Sequence, residues 1–193
     1  EDGLMPIEIF GKHNLNNLEG ARWICQLMGV QQEDFYEAIA TFKGASKRLE
    51  KIGESDTAVA YKDFAHAPSK VKATIKALGR QYPDRKLVAC VELHTFSSLN
   101  KKFLGEYQGA MDEADVAFVY FSEHTLKMKK LPAITKEEVK AAFNHRNIEV
   151  FTDMKALLKQ LKAINFDQKN LLMMSSGTFD QTDLDDLAAE LLA

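Results

Sequence analysis

The chain has 193 residues, of which 46% are hydrophobic and 27% charged, with a net charge of −3. This composition suits a globular unit and excludes a disordered chain. The slight negative charge leaves no broad basic face for nucleic acid, and no apolar run approaches the ~20 residues of a membrane-spanning helix.

Pro6–Phe10 reads as a short strand that runs into Gly11-Lys12-His13-Asn14. A helix follows with Leu18, Ala21, Ile24, Cys25 and Met28 on one face, closed by Gly29. A second helix is expected over Glu33–Phe42. After Gly44 the texture changes. Arg48–Gly53 and Thr57–Lys62 read as two strands joined by a Gly-Glu-Ser-Asp turn. Further strands are predicted at Lys86–Val91, Val116–Phe121, Ile148–Phe151 and Leu171–Met174. Helices are predicted at Ser69–Gln81, Asn100–Met111, Lys136–Phe143, Met154–Ala163 and Gln181–Leu192. The later strands are continuous apolar runs, which implies cover on both faces. The alternation predicts an α/β fold: a Rossmann-like, doubly wound, mainly parallel six-stranded sheet preceded by two helices. Cys25 and Cys90 fall inside apolar segments without CxxC spacing and are expected to be buried thiols in a reducing compartment.

Polar residues gather where strands hand over to loops, the usual place for a ligand cleft in this architecture. Asp63 ends a strand, where an acid either accepts the two hydroxyls of a ribose or serves as a turn or cap acid. His66 either contacts a phosphate or polar substrate group, or caps the turn before Pro68. Arg48 offers a fork for phosphate oxygens, or a surface ion pair. Asn14 and Asn17 lie one helical turn apart and suit the edge of an adenine, with helix capping as the plainer role for Asn14. His94, Ser97 and Ser98 form a polar loop after a strand. Ser175, Ser176 and Gly177 form another, able to cradle an anionic group or simply to turn the chain. There is no G-x-x-x-x-G-K-[ST] loop, no G-x-G-x-x-G, no G-x-S-x-G elbow, and no histidine pair at metal-ligand spacing.

Taken in order, Gly11-Lys12-His13-Asn14 with Asn17, Arg48-Leu49-Glu50, Asp63-Phe64-Ala65-His66 with Pro68, the His94 loop and Ser175-Ser176-Gly177 resemble the C-terminal part of the Mur ligases. Those enzymes form amides at the expense of ATP in peptidoglycan assembly. The resemblance spans nearly the whole chain. It implies that residues 1–45 are the tail of a central ATPase domain and residues 46–193 the C-terminal domain. It also implies that the N-terminal and central domains, with the phosphate loop and the Mg²⁺ ligands, lie elsewhere in a longer cytoplasmic protein.

By the same resemblance Asn14 and Asn17 meet the adenine of ATP, Arg48 the nucleotide phosphates and Asp63 the ribose. Arg48 and His66 are the candidate catalytic side chains. His94, Ser97, Ser98, Ser175, Ser176 and Gly177 would face the incoming amine, and no metal ligand is expected in this part. The phenylalanine of Asp63-Phe64-Ala65-His66 is similar to that of the recycling ligase, which joins L-alanyl-γ-D-glutamyl-meso-diaminopimelate to UDP-N-acetylmuramate. The relative that adds L-alanine usually has tyrosine there, and a Gln-Pro-His-Arg-type loop where this chain has Glu92-Leu93-His94-Thr95. Ala67 replaces a second histidine common to both, and the Ser175 loop lacks the usual Asn-Gly-Gly form. The alternatives are the L-alanine ligase, a folate polyglutamate ligase of the same architecture, or a stand-alone nucleotide-binding or interaction module.

Overall fold

The computed structural model describes residues 6–193. Two helices come first, α1 (Lys12–Leu27) and α2 (Gln32–Ala40). A hairpin of β1 (Glu50–Glu54) and β2 (Val59–Asp63) opens the sheet. Then follow α3 (Pro68–Gln81), β3 (Lys86–Glu92), a single 3₁₀ turn at Leu104–Tyr107, β4 (Val116–Tyr120), α4 (Glu123–Met128) and α5 (Lys136–Phe143). The chain closes with β5 (Ile148–Phe151), α6 (Met154–Lys162), β6 (Lys169–Met174) and α7 (Leu184–Leu192).

The strands form one six-stranded sheet in the order β1-β2-β6-β3-β4-β5. Among the described residues only the β1–β2 pairing is antiparallel. Every parallel strand therefore ends on the same edge, and β2, β6, β3 and β4 deliver their carboxyl ends side by side. The pleat sorts the side chains. Val59, Tyr61, Ala89, Val91, Val119 and Leu172 face a core shared with α3, the 3₁₀ turn and α5. Ala60, Cys90, Phe118, Tyr120 and Met173 face a second core shared with α6 and α7. Both faces are covered, which is why the middles of these strands are apolar, with polar residues at their ends.

Three expectations need correction. Pro6–Phe10 pairs with no strand; Phe10 instead packs edge to face on Tyr61, with ring centroids 5.5 Å apart. Asn100–Met111 is not an α-helix. Its buried residues Leu104, Tyr107 and Ala110 recur every third position, the period of a 3₁₀ turn, and Gly109 breaks the run at φ 71°. Cys90 is buried as expected, and burial pushes its thiol pKa up; Cys25 is only half-buried on α1. The outer face of α1 carries Trp23, Ile24, Leu27 and Met28, each more than half exposed.

Candidate functional site

The site is built around the short segment Lys47–Glu50, where the helical pair meets the sheet. Lys47 and Leu49 both adopt left-handed backbone angles, φ 54° and 47°. Such angles cost a non-glycine residue about 1–2 kcal/mol each and persist only when neighbours fix them. Here they are fixed on both sides. The Lys47 carbonyl accepts the Phe64 N–H at 2.8 Å, and the Leu49 N–H donates to Asp63 Oδ2 at 2.8 Å. The Lys47 N–H donates to Glu50 Oε2 at 2.7 Å. Arg48 is thus held between two pinned residues with its side chain exposed, the guanidinium 5.9 Å from the centroid of the Phe64 ring.

Asp63 is the hub. It ends β2, is 4% exposed, and engages both oxygens: Oδ2 with Leu49, and Oδ1 with the Ala65 N–H at 2.7 Å and the Thr74 hydroxyl at 3.4 Å. It does not cap α3. Ala67 stands at that N-cap without a side-chain bond, and Pro68 occupies the first turn. His66 lies in the intervening turn with Nδ1 2.9 Å from the Phe64 carbonyl, so this nitrogen carries the proton and Nε2 is the basic one in the neutral ring. The backbone carbonyl of His66 accepts the Tyr107 hydroxyl.

The start of α1 reaches the same place. Gly11 opens the helix at φ 86°, and a Cβ there would lie 2.9 Å from Ala77 Cβ on α3. Burial lowers the pKa of His13, Asp63 opposes that, and Lys70 and Arg48 add to it. Asn14 is buried and its side-chain amide donates to the Phe10 carbonyl at 3.1 Å, so it is a helix-entry clamp rather than an N-cap. Asn14, Asn17 and Arg48 together line a cavity of about 390 Å³ whose remaining wall is largely apolar, with Leu18, Ala21, Ile39 and Phe42. A second cavity of about 400 Å³ lies across the Lys47 segment. Asp63, Lys47, Lys62, Ser175, Gly177 and Thr178 line it. Burial lowers the Lys62 pKa, but its bonds to Asp185 at 2.8 Å and Glu50 at 3.3 Å outweigh that and raise it.

The remaining predicted residues divide in two. Ser175 joins β6 to β2 through its N–H to the Asp63 carbonyl at 3.0 Å, and its hydroxyl donates to Glu92. Gly177 donates to that hydroxyl at 2.6 Å, and the buried Ser176 Oγ has no partner among the described residues. His94 is half-buried with Nδ1 3.5 Å from Glu92 Oε1. By contrast Ser98 is 1% exposed and bonded within its own loop, to Thr95, while Ser97 is exposed. Glu92 escaped the sequence reading because it closes an apolar run. The available signal was that it ends β3 as Asp63 ends β2. Among the described residues no group of three or more His, Cys, Asp or Glu side chains is placed to hold a metal ion.

The Mur ligase, glutamate ligase domain profile matches residues 47–177, more than half of the chain. The chain belongs to the Mur ligase family. A UDP-N-acetylmuramate–L-alanine ligase from Desulfitobacterium hafniense is 29% identical over 159 residues, covering 78% of this chain and 35% of that protein. The chain thus spans about a third of the length of the curated relatives it matches. Among solved structures, a UDP-N-acetylmuramate-alanine ligase from Thermotoga maritima superposes with a TM-score of 0.70 at 17% identity, over 96% of this chain and 38% of that one. A murein peptide ligase from Psychrobacter arcticus gives 0.64 at 21%, over 98% and 38%. The two structural likenesses establish the α/β fold shared with Mur ligases. The family's members are ATP-dependent ligases.

Proposed function

We propose that this chain is the C-terminal part of a cytoplasmic ATP-dependent ligase that joins L-alanyl-γ-D-glutamyl-meso-diaminopimelate to UDP-N-acetylmuramate, in peptidoglycan recycling. One observation carries the ligase reading: Asn14 and Asn17, on α1, line one cavity with Arg48, which follows α2 in the chain. Its apolar walls suit a purine ring, its amides suit the ring's edge, and an arginine stands at its mouth for phosphate oxygens. When bound, ATP with Mg²⁺ would supply the phosphoryl group that activates the lactyl carboxylate of the UDP-sugar, so that the amine nitrogen can bond to the carboxyl carbon as phosphate leaves. This chain's residues orient and shield that exchange. Asn17 holds the base, and Arg48, pinned between two left-handed residues, neutralises charge on the transferring group. Asp63, which accepts from Leu49, Ala65 and Thr74, takes the ribose side. The Ser175–Gly177 loop and His94 face the amine.

Residues 1–45 belong, in this reading, to a central ATPase domain whose remainder carries the phosphate loop and the Mg²⁺ ligands. The uncovered apolar face of α1 and a family match beginning at residue 47 support that division. Closure of the two domains would bring Arg48 and the amine loop to the missing half and exclude water. The chain alone is then inert: release of ADP by these 193 residues from ATP, UDP-N-acetylmuramate and peptide would refute the division of labour. In the full-length protein Asn17→Ala should raise the ATP KM about tenfold and leave the UDP-sugar KM near its original value. The reverse pattern would remove this cavity from the nucleotide.

The amine has a second reading. The curated relatives are named L-alanine ligases, and this favours L-alanine. Phe64 and the Glu92-Leu93-His94-Thr95 loop, which lacks the arginine of the alanine-type loop, favour the tripeptide.

A further inference from the structure

The loop after β6 holds three consecutive non-glycine residues in the left-handed region, Phe179, Asp180 and Gln181, at φ 46°, 51° and 63°. L-residues adopt that conformation in succession only when the surroundings fix it. The fixing group is Glu92. It is 3% exposed at the end of β3, and its Oε2 accepts both the Ser175 hydroxyl and the Phe179 N–H, the latter at 2.9 Å. Ser175 in turn accepts the Gly177 N–H. One carboxylate oxygen therefore gathers the loop at residues 175, 177 and 179. The far end is tied independently, by the Tyr120 hydroxyl to Asp180 and by the Thr182 hydroxyl to the Phe179 carbonyl at 2.6 Å. Gly177 fits so closely that a Cβ would lie 2.7 Å from the His94 ring and 2.8 Å from Glu92 Oε2. Loop, Glu92 and His94 thus form one packed unit on the carboxyl edge of the sheet.

We infer that Glu92 is a positioning residue for the amine substrate: it holds the Ser175–Gln181 loop, with His94 against it, in the shape that receives the incoming amine. The inference rests on the ligase reading above for what the loop receives, but not for what holds the loop. Glu92 itself acts through the loop and touches neither nucleotide nor reacting atoms. A glutamine keeps an acceptor oxygen for Phe179 and Ser175, whereas an alanine leaves both donors unpaired in a dry place.

Amide hydrogen exchange on the 193-residue chain tests the holding role. Glu92→Ala should speed exchange at Gly177 and Phe179 about tenfold or more while the β3 and β6 amides keep their protection. Glu92→Gln should stay within about threefold of the parent chain. Tyr120→Phe, which releases Asp180 at the far end, should loosen residues 180–182 and keep the Gly177 amide, held through Glu92, within about threefold of the parent chain; loosening of Gly177 in that variant would count against Glu92 as the holding group. In the full-length ligase Glu92→Ala should raise the amine KM about tenfold with the ATP KM within about twofold, and Glu92→Gln should restore it. Unchanged exchange at Gly177 and Phe179 in Glu92→Ala, or a faster loop with an unchanged amine KM, overturns the inference. If the parent enzyme forms no amide with any amine, the ligase reading falls, and the exchange data still decide whether Glu92 holds the loop.

Discussion

Removing the Asp63 carboxylate should cost more stability than its size suggests. Asp63→Ala leaves the Leu49 and Ala65 N–H groups without their acceptor, and both bonds are short and buried, at 2.8 and 2.7 Å. An orphaned buried donor costs about 1–3 kcal/mol, so the pair should cost about 3 kcal/mol after local relaxation. With a urea dependence of about 3 kcal/mol per molar, near the upper end for small proteins, the unfolding midpoint should fall by about 1 M. Asp63→Asn retains one acceptor oxygen and should lose about half as much. The assay is urea unfolding of the 193-residue chain, followed by tryptophan fluorescence and far-UV circular dichroism. A functional signature should accompany it: Leu49 released from Asp63 no longer presents Arg48, so the full-length enzyme's ATP KM should rise more than its UDP-sugar KM. An Asp63→Ala midpoint indistinguishable from the parent would refute the clamp, and an unchanged ATP KM would remove Asp63 from nucleotide binding.

Arg48→Ala should leave stability within about 0.5 kcal/mol, since the side chain is exposed, yet lower full-length kcat about a hundredfold; Arg48→Lys should recover little, because an ammonium lacks the planar fork. Gly177→Ala drives a Cβ into His94 and Glu92 and should destabilise the chain by about 1–3 kcal/mol in thermal unfolding. Burial pushes the Glu50 pKa up, but the Lys47 N–H, Lys62 and Ser46 outweigh it and hold the carboxyl below its ordinary 4.5. A depressed pKa gives stability that is complete above the unfolded value and is lost as pH falls through the folded one. The stability gap between the parent and Glu50→Gln should therefore be full above pH 4.5 and close at lower pH; a gap that widens on acidification would contradict that coupling.

The inner strands were legible because they are apolar runs of strand length bounded by turns, and runs buried on both faces need no particular register to be recognised. Asn100–Met111 misled because apolar spacings of three and of three-to-four differ too little over one turn. The α4 helix was missed because Leu126 is its only buried residue, which gives no period to read. Gln181–Asp183 were read as the first residues of the last helix, although Asp183 caps that helix and Gln181 is left-handed. For the site, the family resemblance suggested which residues belong together; the structure places Asn14, Asn17 and Arg48 on one cavity and Asp63 on another. Partner identity was not legible. The Asp63–Leu49 bond crosses 14 positions and the Glu92–Phe179 bond 87, and nothing local encodes either. Thr95 and Ser98 show the converse: a hydroxyl-rich loop can satisfy itself, and its composition alone looks the same as that of a binding loop.

The central claim is an amide ligase whose amine is the murein tripeptide. Its most direct test supplies the full-length protein with ATP, Mg²⁺ and UDP-N-acetylmuramate. L-alanine and L-alanyl-γ-D-glutamyl-meso-diaminopimelate are offered separately, and the UDP-linked product is followed by mass spectrometry. The account predicts the tripeptide product with a kcat/KM well above that for L-alanine. Preference for free L-alanine would contradict the substrate assignment, and no product with either amine would contradict the ligase itself.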